Sequence, residues 1–323
     1  MMDTSTCNLC GRHCEVRRNC PNPKGGFCGA VDQATVGLSQ AVIHHGEEPP
    51  LSGKPPGGSG AIFFTRCNLA CVFCQNSDIS QTPGAGQEVT VDTLVALMFE
   101  LKRMGAYNIN LVSPTQYAFQ LAQAIYRAKN MGLDLPVVYN TGGYDSDDAI
   151  DLMDGLVDVY LPDAKLGNQG GKYPEEYDSR SQDFLGVPDY PEKNMKAIER
   201  MLRQVGHLTL DDKGLATRGL LVRHLVLPDN LARTDRVLAW IHDKLGPDTY
   251  LALMAQYFPR NKVELGYSQS FANYPGLGRP LSVREYDEAV DRALALGLFH
   301  TYIQDLSAAT YYLPDFSKPG IFS

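Results

Sequence analysis

The sequence predicts an α/β fold built on a parallel sheet, a full or partial β/α barrel. Three observations predict it. Short apolar runs alternate with helical patterns from Ser59 onward. The runs are continuously apolar, as expected of strands covered on both faces. Six such runs are visible, and no period of ~20–50 residues suggests a solenoid instead. A doubly wound open sheet is the rival arrangement.

The elements follow in order. AIFFT (61–65) is the first strand. Val91, Leu94, Val95 and Met98 share one helical face, which predicts a helix over 90–104. NINLVS (108–113) is a strand, followed by a helix to about 130 and by the strand LPVVYN (135–140), which ends in the turn TGGY. LVDVYLP (156–162) is the next strand. The polar, Tyr-rich stretch 167–190 reads as an insertion or lid, and 192–205 as a helix. GLLVRHLVLP (219–228) and TYLALMAQYF (249–258) are strands with a helix between them.

Three zones organise the 323 residues. Residues 1–45 are a cysteine-rich segment that needs a metal or the main body to fold, being too short to bury its own core. Residues 46–58, dense in Pro and Gly, read as a linker or surface loop. Residues 59–323 form the barrel with a C-terminal tail.

Composition narrows the function. With 44% hydrophobic and 20% charged residues the chain buries a sizeable core. A formal charge of −8 without a basic block disfavours a nucleic-acid partner. No apolar run suits a membrane span, and MMDTSTCNLC lacks the features of a secretory signal. All 8 cysteines fall between Cys7 and Cys74. Disulfides would be scattered, so clustered thiols in a reducing cytoplasm read as metal ligands or redox groups.

The sharpest feature is CNLACVFC, with Cys67, Cys71 and Cys74 spaced C-x3-C-x2-C after the first strand. Thiolates suit iron–sulfur clusters or zinc. Three cysteines on a four-iron cluster leave one iron open to a chelating substrate. The loop lies at the carboxyl end of the strands, where α/β folds build their sites.

CNLACVFCQN resembles the cluster loop of the radical S-adenosylmethionine (SAM) superfamily. HHGEEPPLSG, GSGAIFF, NLVSPTQY and MAQYFP resemble one branch, the uncharacterised iron–sulfur proteins similar to pyruvate formate-lyase activating enzyme. The resemblance implies a partial (β/α)6 barrel, a [4Fe-4S] cluster on the three cysteines, and SAM on the open iron. Reduced by a donor such as flavodoxin or ferredoxin, the cluster cleaves SAM to methionine and a 5′-deoxyadenosyl radical, which takes hydrogen from a substrate. That substrate is a protein glycine, as for glycyl radical activases, or a small molecule or peptide. A non-catalytic metal protein is the remote alternative.

The resemblance also points to individual residues. Phe73 borders the adenine or packs under the loop. Ser113, Pro114 and Thr115 stand where relatives carry a Gly-Gly-Glu segment for the SAM amino group; a plain turn with Thr115 as N-cap is the alternative. Asp163 and Lys165 form a D-x-K unit with both side chains on one face, Lys165 facing the SAM carboxylate. Asn140 suits a ribose hydroxyl or a turn cap. Arg223 meets the cofactor, and Val226 and Leu227 offer backbone atoms to adenine. His224, on the opposite face, reads as a core histidine. Gln256 and Tyr257 face the substrate or pack at the rim.

Cys7, Cys10, Cys14 and Cys28 suit zinc, a mononuclear iron or a second cluster. Cys20 is spare and His13 is a further candidate ligand. His44, His45, Glu47 and Glu48 could reach the site but read first as a solvated loop. The tail TYYLPDF (310–316) closes the cavity or packs on the barrel.

Overall fold

The computed structural model describes residues 6–18, 25–30, 34–46, 48–168, 179–264, 271–307 and 316. Among them ten strands make one sheet: β1 (Thr35–His44), β2 (Gly58–Phe64), β3 (Gln87–Thr90), β4 (Ala106–Val112), β5 (Val137–Thr141), β6 (Val159–Pro162), β7 (Thr209–Leu210), β8 (Ala216–Leu225), β9 (Tyr250–Met254) and β10 (Thr301–Ile303). Their order is β10-β9-β8-β6-β5-β4-β2-β1-β3, with β7 paired to β8. From β2 to β10 all neighbours are parallel. The first six of these strands are those the sequence predicts. β10 is the seventh, and its three residues are too few to carry a pattern.

Two further strands extend the sheet beyond β2. β1 pairs antiparallel with β2, and β3 with β1. β1 lies inside the zone assigned to the cysteine-rich segment, so the sheet reaches back into that zone. The Pro/Gly-rich stretch that reads as a linker holds a short helix, Pro49–Ser52. Its Leu51 is fully buried among Val138, Val159, Leu161 and Leu221. Asn108 Nδ2 donates to the Leu51 carbonyl at 2.8 Å, tying this plug to β4.

Side-chain alternation settles the layering. Ile109, Leu111, Val137, Tyr139, Tyr160, Leu220 and Val222 share one core with Leu94, Met98, Leu121, Ile125, Ile198 and Leu238 of the helices. The residues between them in sequence, Val112, Asn140, Arg223 and Ala252 among others, line a single cavity with Phe63 of β2 and Tyr302 of β10. Helices therefore cover one face and the other curls around a hollow, unlike a doubly wound sheet, which carries helices on both. Among the described residues no pairing joins β10 to β1 or β3, so the strand order is open.

The lid-like stretch splits. Residues 169–178 lie outside the described residues, but Arg180–Leu185 is helical, with Phe184 and Leu185 fully buried. The Leu185 and Phe184 carbonyls accept the amides of Ala70 and Val72 at 3.0 and 2.9 Å. This segment is a buttress under the cysteine loop.

Candidate functional site

The loop after β2 carries Cys67, Cys71 and Cys74, and its neighbours hold it from every side. The Cys71 carbonyl accepts Gln81 Nε2 at 3.0 Å and Asn261 Nδ2 at 3.1 Å. Arg12 Nε donates to the Asn68 carbonyl at 2.7 Å, and Asn68 Nδ2 to the Tyr144 carbonyl at 3.0 Å. The Leu69 amide donates to Cys67 Sγ at 3.4 Å, and Cys74 Sγ lies 3.4 Å from Ser80 Oγ. Burial pushes the Cys67 thiol up to about 11 and Cys71 further, the latter despite nearby Lys165. As thiols they are inert; a metal replaces the proton and takes the thiolate.

Cys71 and Cys74 open on the cavity, whose volume is about 640 Å³. Its wall at the strand ends is a charged cluster. Asp163 Oδ2 pairs with Lys165 Nζ at 2.5 Å and Asp163 Oδ1 with Arg223 Nε at 2.8 Å. Arg223 also donates to Asn140 Oδ1 at 2.7 Å. Burial alone would raise the Asp163 carboxyl, but Arg223 and Lys165 hold it below the ordinary carboxylate value. Lys165 is raised in turn: Asp163 and then Cys71 outweigh its burial. Two cations against one carboxylate leave an excess positive charge facing the thiols, suited to a carboxylate ligand or an anionic cluster.

The turn below this cluster explains its glycines. Gly143 has φ +75, and a Cβ there would meet Asn194 Nδ2 at 2.1 Å. Asn194 Nδ2 instead donates to the carbonyls of Gly143 and Asp163 at 2.9 and 2.8 Å, fixing the D-x-K strand end.

The other sequence-predicted residues divide. Phe73 lines the cavity and meets Phe184 and Tyr257 edge-on at 6.3 and 5.8 Å, so it packs under the loop while facing the cavity. Leu227 and Gln256 line the cavity. Val226 does not, and its amide is used on the Met254 carbonyl at 3.1 Å. Ser113, Pro114 and Thr115 stand apart from the cavity lining. The Thr115 hydroxyl donates to Asp145 Oδ1 at 2.7 Å, which replaces both a cofactor contact and an N-cap role. Tyr257 is buried and donates to the Leu277 carbonyl at 2.8 Å, so it packs at the rim. His224 is a core histidine, with ring nitrogens 2.6 Å from the Ala164 carbonyl and 2.9 Å from Thr234 Oγ1.

His44 and Glu48 correct the solvated-loop expectation and reach the cavity lining; His45 also lines it but stays exposed to solvent. His44 is 7% exposed and meets Phe63 edge-on at 6.1 Å. Phe63 also meets Phe316 at 5.7 Å, so the end of the Tyr-rich tail packs on the inner face of β2. The rest of that tail, with Cys20 and Glu47, lies outside the described residues. Gln75, Asn76, Gln304 and Asp305 also line the cavity. Gln75 and Asn76 close the CNLACVFCQN motif, whereas no motif marks Gln304 and Asp305, which only the fold brings here.

Comparison with known proteins now bears on this geometry. Residues 61–208 match the family model of the radical SAM superfamily. That match supports the radical SAM superfamily. It spans a little under half of the chain and includes the cysteine loop, Asn140, Asp163 and Lys165. An uncharacterised protein of Methanocaldococcus jannaschii, MJ0674, is 29% identical over 302 residues, covering 89% of this chain and 74% of that protein. Two solved structures are similar at low identity. SuiB of Streptococcus suis bound to precursor peptide SuiA gives a TM-score of 0.48 at 12% identity over 79% of this chain. anSMEcpe with bound AdoMet and Cp18Cys peptide gives 0.44 at 10% identity over 72%. This chain spans 50% and 56% of the length of those two structures.

A match to the radical SAM family model asks whether the residues present fit a [4Fe-4S] cluster and SAM. The donor set fits. Three soft thiols on one tightly pinned loop, Cys71 buried and Cys67 and Cys74 half-buried, would leave the fourth corner of a four-iron cluster without a protein ligand. Among the described residues no three His, Cys, Asp or Glu side chains converge on a single-ion site. Among the described residues no helix is long and apolar enough to cross a membrane.

Proposed function

We propose that this chain is a radical SAM enzyme whose cluster, held by Cys67, Cys71 and Cys74, reductively cleaves SAM inside the cavity. When bound, the cluster supplies the electron that breaks the sulfonium C–S bond and yields the 5′-deoxyadenosyl radical. The chain supplies the rest. Lys165 and Arg223, balanced on Asp163, offer the positive charge that a SAM carboxylate needs. Asn140, on the cavity wall beside Arg223, would bind a ribose hydroxyl. Phe73 and Leu227 would give the apolar surface for adenine. The observation that carries the reading is the meeting of Cys71 and Cys74 with Asp163, Lys165, Arg223 and Asn140 on one cavity wall.

The finer reading is that the hydrogen comes from a protein glycine, making the enzyme a glycyl radical activase. Gln75, Gln256 and Gln304 bond to one another along the cavity wall, and Asn76 beside them offers an amide that suits a peptide backbone, which favours a protein or peptide substrate. A flavodoxin or ferredoxin is the natural one-electron donor, and a cytoplasmic setting suits the exposed chemistry of the cluster.

The test is anaerobic reconstitution, reduction with dithionite and addition of SAM. Methionine and 5′-deoxyadenosine are expected. Their absence from protein that holds four irons and four sulfides would overturn the reading. Deuterium passing into 5′-deoxyadenosine from a labelled glycine of a partner protein supports the activase; deuterium from a labelled small molecule or free peptide replaces it.

A further inference from the structure

The four amino-terminal cysteines form a second constellation. Cys7, Cys10, Cys14 and Cys28 line one small cavity with Arg12, Arg18, Asn68 and Gln116. A turn brings them there: the Cys7 amide donates to the Val16 carbonyl at 2.9 Å and the His13 amide to the Cys10 carbonyl at 3.1 Å. Gly26 is required, because a Cβ there would meet Cys14 Sγ at 2.5 Å. His13 points to solvent and is no ligand here.

Two observations point to a metal. First, sulfurs from two segments of the chain, Cys7, Cys10 and Cys14 on one and Cys28 on the other, gather on that one cavity. Second, Arg18 is 3% exposed and meets no carboxylate among the described residues. Its Nη1 donates to the Gln116 carbonyl at 2.6 Å, its Nη2 to Cys28 Sγ at 3.3 Å, and its Nε has no partner. A buried cation demands an anion. Four neutral thiols provide none, whereas a four-thiolate metal centre is anionic.

The position says what the metal is for. A metal that only staples the fold has no need to face the catalytic loop. Here Asn68 is the partition: it lines the cysteine cavity, and its Oδ1 lies 3.6 Å from Cys67 Sγ. Arg12 lines the same cavity and binds the Asn68 carbonyl. One side chain separates the two sets of sulfurs.

We propose that Cys7, Cys10, Cys14 and Cys28 hold a redox-active iron–sulfur cluster, with Arg18 as its counter-ion, that relays single electrons to the centre on Cys67, Cys71 and Cys74. The inference rests on the radical SAM reading of the loop. A low-potential one-electron donor protein reduces the iron by one electron, and the iron is reoxidised as that electron passes across Asn68. No bond forms or breaks and no proton moves.

The test uses the full chain, reconstituted anaerobically. A Cys67→Ala, Cys71→Ala, Cys74→Ala variant should keep iron with a thiolate-to-iron absorbance that one electron bleaches. Zinc alone, or no metal, in that variant overturns the proposal. The Cys10→Ser, Cys28→Ser variant should keep four irons and wild-type SAM affinity. Reduction of its loop cluster by a reduced flavodoxin, followed by freeze-quench EPR, should slow at least tenfold. An unchanged rate overturns the relay. Loss of the loop cluster from the wild type itself would instead sink the radical SAM reading, so the two failures are distinct. Should the double variant not fold, Arg18→Gln serves: the iron should remain while its potential falls, by about 59 mV for each tenfold change in the one-electron equilibrium. An unmoved potential counts against the counter-ion role and the proposal with it.

Discussion

Asp163 and Arg223 are joined twice, once through a parallel backbone bridge between neighbouring strands and once through an ion pair of 2.8 Å. The bridge fixes the register, and the register brings Arg223 to the same carboxylate that Lys165 uses. A single acid thus controls where two cations stand on the cavity wall.

Removing that acid should cost more than removing either base. Asp163→Asn leaves Lys165 and Arg223 buried without their shared counter-charge, and destabilisation of about 3–5 kcal/mol is expected. Arg223→Met leaves Asp163 paired with Lys165 and should cost less. Urea denaturation of both variants checks the order; equal costs would mean that the pair does not share the load.

Cys71→Ala should abolish both cluster assembly and SAM cleavage, because two thiols cannot hold three corners. Iron counts together with a 5′-deoxyadenosine assay decide it. A variant that still produces 5′-deoxyadenosine would show that the loop has been misread.

Phe184→Ala should reach the loop indirectly. The ring is fully buried, 6.3 Å from Phe73 and 4.8 Å from Tyr274. Truncation should cost about 3–5 kcal/mol through the cavity it leaves. Because the Phe184 carbonyl pins Val72, iron occupancy should fall as well. Full occupancy with a lowered melting temperature would limit the segment to packing.

Gly143→Ala should lose stability even though it adds one methyl group. Its backbone lies at φ +75, and the methyl strikes Asn194. A loss of at least ~2 kcal/mol is expected, combining left-handed strain with a broken polar contact. Thermal melting with and without SAM measures it.

Acid should destabilise the fold through two buried histidines. Burial lowers His224 and His44 from 6.5 to about 4, in His44 with help from His45. Between those values the unfolded chain binds protons that the folded chain refuses, so stability rises with pH across the window and is lost as pH falls through it. Each histidine accounts for up to roughly 3 kcal/mol between pH 6.5 and 4. Denaturation midpoints at pH 4.5 and 7 should differ, and His224→Gln should remove about half of the difference. Equal midpoints would contradict the burial argument.

Local chemistry made part of this molecule legible. C-x3-C-x2-C names a metal loop because thiolates at close spacing serve little else, and six apolar runs name a parallel sheet because burial on both faces erases alternation. Phe73, Asn140, Asp163, Lys165, Arg223 and Leu227 were readable for the same reason: each sits on or beside a strand end or the metal loop itself, where α/β folds gather their sites. Thr115 shows the limit. Its spacing suited a cofactor contact or an N-cap, but Asp145, thirty positions away, takes its hydroxyl.

What the chain could not disclose along its length depends on pairing between distant segments. β1 and β10 are not betrayed by any motif; hydrogen bonding to β2 and β9 makes them strands. His44 and Glu48 look solvated beside Pro49 and Pro50, yet the antiparallel turn of β1 onto β2 carries them to the cavity. The meeting of Asn68 with both sets of sulfurs is likewise a product of folding. Composition and spacing select which atoms can bind a metal. The register of the sheet and the packing of the loops select which of those atoms meet, since contact energies fall away within a few ångströms and sequence distance does not measure them.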